Sequence, residues 1–457
     1  MQITILFPIF IYLFYLCMYK DEDMLISFAV TNFRSIKERM ALDMVKTGLK
    51  GLDSNFFGAP TNKRLLKSAV IYGPNASGKS GFLYAFRALD YLVNRSSGFK
   101  PEEGLAPYEP HRLDKSCVDA PITLEISFAS EDIRYDYTVS YNKKRIELEE
   151  LYYYPHSSRT LLFTRKAGQE TKFGDYYRGP KKVLDRLLGP NQLLLSKAAE
   201  NNVEMLLPAY HFFANELTVY PFMADRHESS VARLYARRLA EDGQSTFSKR
   251  FNALICALDT GIQQVTAEKV DWSKYEFPGS ISEEVKKQIQ DEYKYDIKTR
   301  HPVFLDGKEV GFEKFDVEIE STGTRSLFVI GGIVLDALEE GKLLIVDEFE
   351  KNLHPVITEY LIKLFHNDIT NPKNAQLVFA THDVTQLSND NFRRDQIWFT
   401  QKDEYGATEL FRASDIGGIR LNTPLDKWYV SGRFGATPVI DDSDFLIAMQ
   451  EDGSEEG

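Results

Sequence analysis

Apolar and polar positions alternate over Leu25–Thr31, the period of a half-buried strand, and Lys67–Tyr72 is a short run of the kind that forms a buried one. Over Gly81–Leu92 the apolar residues return at helical spacing. Strand-like runs follow at Ile122–Phe128, Ile133–Tyr141 and Ile146–Tyr154, bounded by turn residues, and predict a β-rich lobe. Between about residues 180 and 300 the pattern becomes helical, over Val183–Leu188, Leu193–Asn202, Ser229–Glu241, Thr246–Leu258 and the charged Ser282–Tyr293. This stretch reads as an inserted helical subdomain. Phe304–Lys308 carries an Asp-Gly hairpin signal and leads to a strand at Lys314–Glu320. Helix and strand then alternate through Arg325–Leu338, Leu343–Asp347, Pro355–Phe365 and Gln376–Thr381. Such alternation predicts a parallel sheet covered by helices. The expected fold is α/β, a head formed by residues 24–179 and 301–440 and divided by the 180–300 insertion.

The two ends depart from this pattern. Met1–Tyr19 carries no charge and has about the length of a membrane-spanning helix. No basic residue precedes it and Pro8 interrupts it, so a secretory leader is disfavoured. Residues 1–23 read as a mis-assigned start before Met24, with a membrane anchor as the alternative. Residues 441–457 read as an acidic, frayed tail.

Composition narrows the setting. At 457 residues the chain has room for about two or three domains and buries a core without staples. Cys17, Cys117 and Cys256 are scattered, which gives neither a disulfide framework nor a zinc site and fits a reducing cytoplasm. The net charge of −12 disfavours nucleic acid as the main partner, since such binders carry a basic footprint.

The chemistry begins at Gly73-Pro74-Asn75-Ala76-Ser77-Gly78-Lys79-Ser80, a G-x-x-x-x-G-K-S string between a predicted strand and a predicted helix. The glycines let successive backbone N–H groups face phosphates, and the helix N-terminus adds its dipole. Lys79 reaches the β- and γ-phosphates of ATP in this reading, and Ser80 ligates Mg²⁺. In Leu343-Leu344-Ile345-Val346-Asp347-Glu348, two carboxylates end a buried strand, where ligands bind in open α/β sheets. Asp347 is the candidate Mg²⁺ ligand, and Glu348 the group that orients or deprotonates the attacking water. His382 ends the next strand and is a candidate γ-phosphate contact. Ser321 and Gly323 open the helix before the acidic strand and form a second candidate anion cradle.

The order of these four elements resembles the ABC ATPase superfamily, particularly its RecF and SMC branch. The resemblance implies that Ser321 and Gly323 contact the γ-phosphate of a neighbouring subunit in a head-to-tail dimer or higher oligomer. Asn32-Phe33-Arg34-Ser35 is similar to the RecF-type opening. Glu350-Lys351-Asn352-Leu353-His354-Pro355 is similar to the D-loop of compact prokaryotic ATPases related to the OLD family, as is Trp428–Gly435. Many of those are phage-defence ATPases, including the ATPase subunits of AbiL, Septu and PARIS systems, which pair with a separate nuclease or toxin. Glu320, Thr322 and Thr324 stand where transporters carry Leu, Gly and Gln. No acidic cluster after residue 400 resembles a Toprim nuclease, so an effector is expected to be a separate protein encoded nearby. Three functions follow as expectations: an ATPase regulating an effector, a RecF/SMC-like DNA-repair ATPase, and a transporter subunit, the last weakened by those departures at Glu320, Thr322 and Thr324.

Overall fold

The structure is a computed structural model that describes residues 23–59, 63–220, 224–243, 245–258, 260–420 and 423–437, with isolated positions up to 449. The apolar leader, apart from Asp23, and most of the acidic tail lie outside the described residues. Among the described residues, no helix is long and apolar enough to cross a membrane.

Two large sheets enclose the phosphate-loop helix, Lys79–Arg95. The first is antiparallel, with strands in the order Lys172–Phe173, Thr160–Lys166, Ile146–Tyr154, Ile133–Tyr141, Ile122–Ser130, Met24–Thr31 and Met40–Asp43. It is the β-rich lobe. The second runs Leu217–Tyr220, Leu343–Val346, Gln376–Ala380, Ser68–Tyr72, Ile397–Lys402 and Thr408–Arg412. Its first five strands are parallel, and the last turns back antiparallel.

The helix between the sheets is buried on most sides, through Phe82, Phe86, Leu89 and Leu92 among others. Phe86 stacks on Phe28 of the antiparallel sheet with ring centroids 3.7 Å apart. Gln376 ties the sheets together: its side chain accepts the Leu25 N–H at 2.6 Å and donates to the carbonyls of Leu25 and Leu66. A second apolar core covers the other face of the parallel sheet, where helices Thr246–Ala257, Thr322–Glu340 and Pro355–His366 pack.

The expected helices between 180 and 300 form, as Lys181–Leu187, Leu194–Glu200, Ala224–Glu241, Thr246–Ala257 and Glu283–Glu292. The stretch is not helical throughout, however. Leu217–Tyr220 pairs in parallel with Leu343–Val346 as the edge of the main sheet. Gln264–Lys269, Tyr295–Leu305 and Lys308–Asp316 form a separate three-stranded antiparallel sheet. A four-residue strand such as Leu217–Tyr220 carries too few positions to show a period in sequence. The Asp-Gly hairpin sits where its residues predict, with Asp306 and Gly307 both at positive φ, as a two-residue hairpin of this type requires.

Candidate functional site

The strand Ser68–Tyr72 is fully buried and delivers the phosphate loop at its C-terminal end. Asn75 and Ala76 form the exposed tip, Pro74 is half-buried, and Ser77 and Lys79 are buried. Gly78 caps the following helix at φ 108, a conformation that L side chains rarely adopt, and a Cβ there would collide with Thr408. The loop is held from outside by the hairpin Ile397–Lys402/Thr408–Arg412. The Ser77 hydroxyl lies 2.6 Å from that of Thr400. The Thr408 hydroxyl donates to the Ser77 carbonyl at 2.8 Å and lies equally close to the Ser35 hydroxyl. From a third side Tyr429, within the Trp428–Gly435 segment, hydrogen-bonds the Gly73 backbone and stacks on Phe399.

Lys79 is folded back onto the loop, donating to the carbonyls of Gly73 at 2.8 Å and Pro74 at 3.2 Å. Burial pulls its ammonium down to about 8, against the opposing pull of Asp347, Glu350 and Glu348 in that order. A buried cation resting on two carbonyls has weak partners that an anionic phosphate can replace.

Parallel register brings the remaining groups to the same sheet edge. Val346 aligns with Phe379, and Ala380 with Ile71. Asp347 is therefore level with Ala380 and Thr381 with Tyr72, so the segments that follow the three strands leave the same edge of the sheet. Burial raises the Asp347 carboxyl, while a hydrogen bond from Ser80 pulls it back. Its Oδ1 is buried without a partner. Glu348 follows at φ 53, exposed at the sheet edge. A bulky residue held there stores strain, which collects at functional sites. His382 is exposed, and partial burial of its ring and the Lys79 charge hold its imidazole below the ordinary value, against the opposing pull of Glu350, Glu348 and Asp347. Its backbone N–H donates to Glu350 Oε1 at 2.6 Å.

Ser321 and Gly323 are not drawn into this cluster. Ser321 is the N-cap of Thr322–Glu340, exposed, accepting from the Thr324 N–H at 3.1 Å. A Cβ on Gly323 would lie 2.8 Å from the Asn352 carbonyl, so glycine permits close approach of the loop after the acidic strand. Asn352, at φ 61, also donates to the Ser326 hydroxyl at 3.2 Å. Among the described residues no hydrogen bond joins Ser321 or Gly323 to residues 73–80. The Ser321–Gly323 turn is thus fastened to the loop that follows the acidic strand, with Asn352 five and four positions after Asp347 and Glu348.

Thr400 and Thr408 carry no signal in the linear sequence, yet they shape the loop from more than 300 residues away. Tyr429 and Glu350 lie inside segments marked by resemblance, but only the hydrogen bonds to the Gly73 backbone and from His382 place them here.

The residues fit ATP and Mg²⁺. The orphaned Asp347 oxygen beside Ser80 suits a hard cation with oxygen ligands, and backbone donors at a helix N-terminus with Lys79 suit phosphates.

Residues 68–388 match the family described as "AAA domain, putative AbiEii toxin, Type IV TA system". Among solved structures, the SMC head domain from Thermotoga maritima is similar at 12% identity over 85% of this chain and 98% of that one, with a TM-score of 0.38. An Smc head domain with an extended coiled coil, bound to the C-terminal domain of ScpA and derived from Pyrococcus furiosus, is similar at 11% identity over 85% and 96%, also at 0.38. No curated protein matches the chain.

Proposed function

The chain belongs to this AAA-domain family, and on that premise we propose that it binds ATP with Mg²⁺ at Gly73–Ser80, hydrolyses it, and uses nucleotide-dependent engagement of two heads to control a separate effector. The observation that carries the reading is one meeting point. Lys79, the Ser80–Asp347 pair with its free Oδ1, Glu348 and His382 all reach the C-terminal edge of one parallel sheet, from strands far apart in sequence.

Each residue then has a role. Backbone N–H groups of the loop and Lys79 hold the β- and γ-phosphates. Ser80 and Asp347 hold Mg²⁺, which neutralises phosphate charge when bound. Glu348 orients a water whose oxygen bonds to the γ-phosphorus as the bond to the β–γ bridging oxygen breaks. ADP leaves with that oxygen, and the water's proton passes through the carboxylate to the released phosphate. His382 donates from its ring to the γ-phosphate. Ser321, exposed, and Gly323, half-buried beside it, bond to no group of their own phosphate loop and suit the γ-phosphate of a second copy. ATP shifts the heads toward engagement because the engaged state alone offers both cradles. The effector is a nuclease or toxin, and the setting is phage defence in the cytoplasm.

Glu348→Gln tests the enzymology. It is expected to keep Mg-ATP binding and lower turnover by roughly 100-fold or more, the loss expected when a water-positioning group is removed. Unchanged hydrolysis would refute the assignment of Glu348. The same tagged variant, expressed in its native host with its neighbouring genes and held in Mg-ATP, tests the biology. A second protein retained in fixed stoichiometry and released on nucleotide exchange supports effector control. Co-purified DNA, lost as salt rises and without a protein partner, points instead to a DNA-repair ATPase.

A further inference from the structure

Glu350 has no role in the scheme above, yet its carboxylate is committed to the site in an unusual way. Oε1 accepts the His382 N–H at 2.6 Å, while Oε2 is buried with no partner. An ionised carboxylate can only accept hydrogen bonds, and buried acceptors are almost always paired. An orphan beside a substrate site therefore marks a place for a donor that arrives with the substrate. The surroundings restrict what that donor is. Lys79 is the cation facing the phosphates, and Glu350 opposes the loss of its charge more strongly than Glu348 does. Ser80 and Asp347 bond to each other, and the free Asp347 Oδ1 is assigned to Mg²⁺. A phosphate oxygen presents lone pairs to Oε2 and is repelled. Water supplies the O–H that fits.

We infer that Glu350 is a second catalytic carboxylate of this site, whose Oε2 accepts a hydrogen bond from the water that attacks the γ-phosphate. The inference rests on the ATP-hydrolysis reading above. It divides the positioning of water between Glu348, exposed at the sheet edge, and Glu350, half-buried two residues further on. It also ties the water to the loop that carries His382, because both depend on one carboxylate.

The test uses Glu350→Gln in the full chain with Mg²⁺. Glutamine keeps one carbonyl oxygen for the His382 N–H and turns the other arm into a donor, so the loop stays tethered while the water acceptor is lost. Binding of a fluorescent N-methylanthraniloyl-ATP and steady-state hydrolysis are measured side by side. The expected result is binding within about twofold of wild type, KM changed by less than about threefold, and kcat lower by roughly 30-fold or more, the scale of a lost acid–base group. Wild-type kcat in Glu350→Gln would show that Oε2 holds no water and overturn the inference. A loss confined to nucleotide affinity would overturn it too, by making Glu350 a shaper of the phosphate site. If the wild-type chain binds the probe but hydrolyses nothing, the parent reading fails and takes this one with it. A hydrolysing wild type beside a fully active Glu350→Gln sinks this inference alone.

Discussion

Two helices of this chain open on glycine-bearing turns, Lys79–Arg95 and Thr322–Glu340, and their surroundings differ. The first begins inside the protein. Ser77 and Lys79 are buried, Thr400, Thr408 and Tyr429 hold the loop from separate elements, and Gly78 is the residue that the approach of Thr408 permits. The second begins in solvent, with Ser321 capping its own turn and Gly323 pressed against the Asn352 backbone. A cradle built on every side binds its ligand by itself. A cradle open on its outer side needs something to complete it. In the proposed reading, the difference separates a preformed nucleotide site from a surface that acts when another head arrives.

The largest expected effect is on the preformed side. Lys79→Ala removes the cation that faces the phosphates, and ATP affinity should fall by roughly 100-fold or more, consistent with losing a buried charge-assisted contact. Retention of wild-type affinity in a fluorescent-nucleotide titration would mean that the phosphates do not bind at this loop. Gly78→Ala should come next. It places a side chain at φ 108 and against Thr408, so it should cost about 1–3 kcal/mol of stability, as strained backbone positions do. ATP affinity should drop with it, whereas Gly323→Ala should leave monomer affinity intact because its obstacle is the D-loop. If both alanines weaken nucleotide binding equally, the two cradles are not separate.

Ser321→Arg sharpens the same contrast. The side chain is exposed, so the fold and the monomer's ATP affinity should stay within about twofold of wild type, as for surface changes generally. Engagement should suffer, because an arginine at the cap displaces the open cradle. In the Glu348→Gln background held in Mg-ATP, light scattering should show the dimer fraction falling by about tenfold, the scale of a lost interface anchor. Normal dimerisation would remove Ser321 from the interface.

The two regions were also legible to different degrees. The phosphate loop, the Asp347–Glu348 strand end and His382 could be placed in sequence because each carries a string fixed to a strand end, and parallel strands bring such ends together whatever the length between them. The antiparallel lobe showed through the alternation of Ile122–Phe128, Ile133–Tyr141 and Ile146–Tyr154. What stayed hidden was tertiary. Thr400 and Thr408 look like ordinary strand residues until the hairpin folds over the loop. Leu217–Tyr220, in a region read as helical, became a sheet edge because the adjacent Leu343–Val346 had an open side to fill. Glu350 stood in a motif read for its resemblance, and only a hydrogen bond across 32 positions ties it to the backbone of His382.

The smallest effect expected is a pH dependence that belongs to the buried cradle alone. Burial holds the Lys79 ammonium at about 8 in the folded protein, against an ordinary value of 10.5. Below about pH 8 the group is charged in both folded and unfolded chains, and folding bears the full cost of burying it. Between about 8 and 10.5 the unfolded chain holds the proton that the folded one releases, so stability rises with pH across that window. Without nucleotide, Tm measured against a Lys79→Met control should gain about 1–3 °C from pH 7.5 to 9.5, scaling the shift by the entropy of unfolding of a large chain. Nucleotide reverses the sign. Bound phosphates favour the charged lysine, so the complex must take up the proton that the free site has lost, and affinity should weaken up to about tenfold per pH unit above 8. In Lys79→Met both slopes should vanish, while Ser321→Arg should keep both, since the exposed cradle holds no such group. If the methionine variant kept the affinity slope, the titrating group would lie elsewhere and the buried lysine would not be what senses the phosphates.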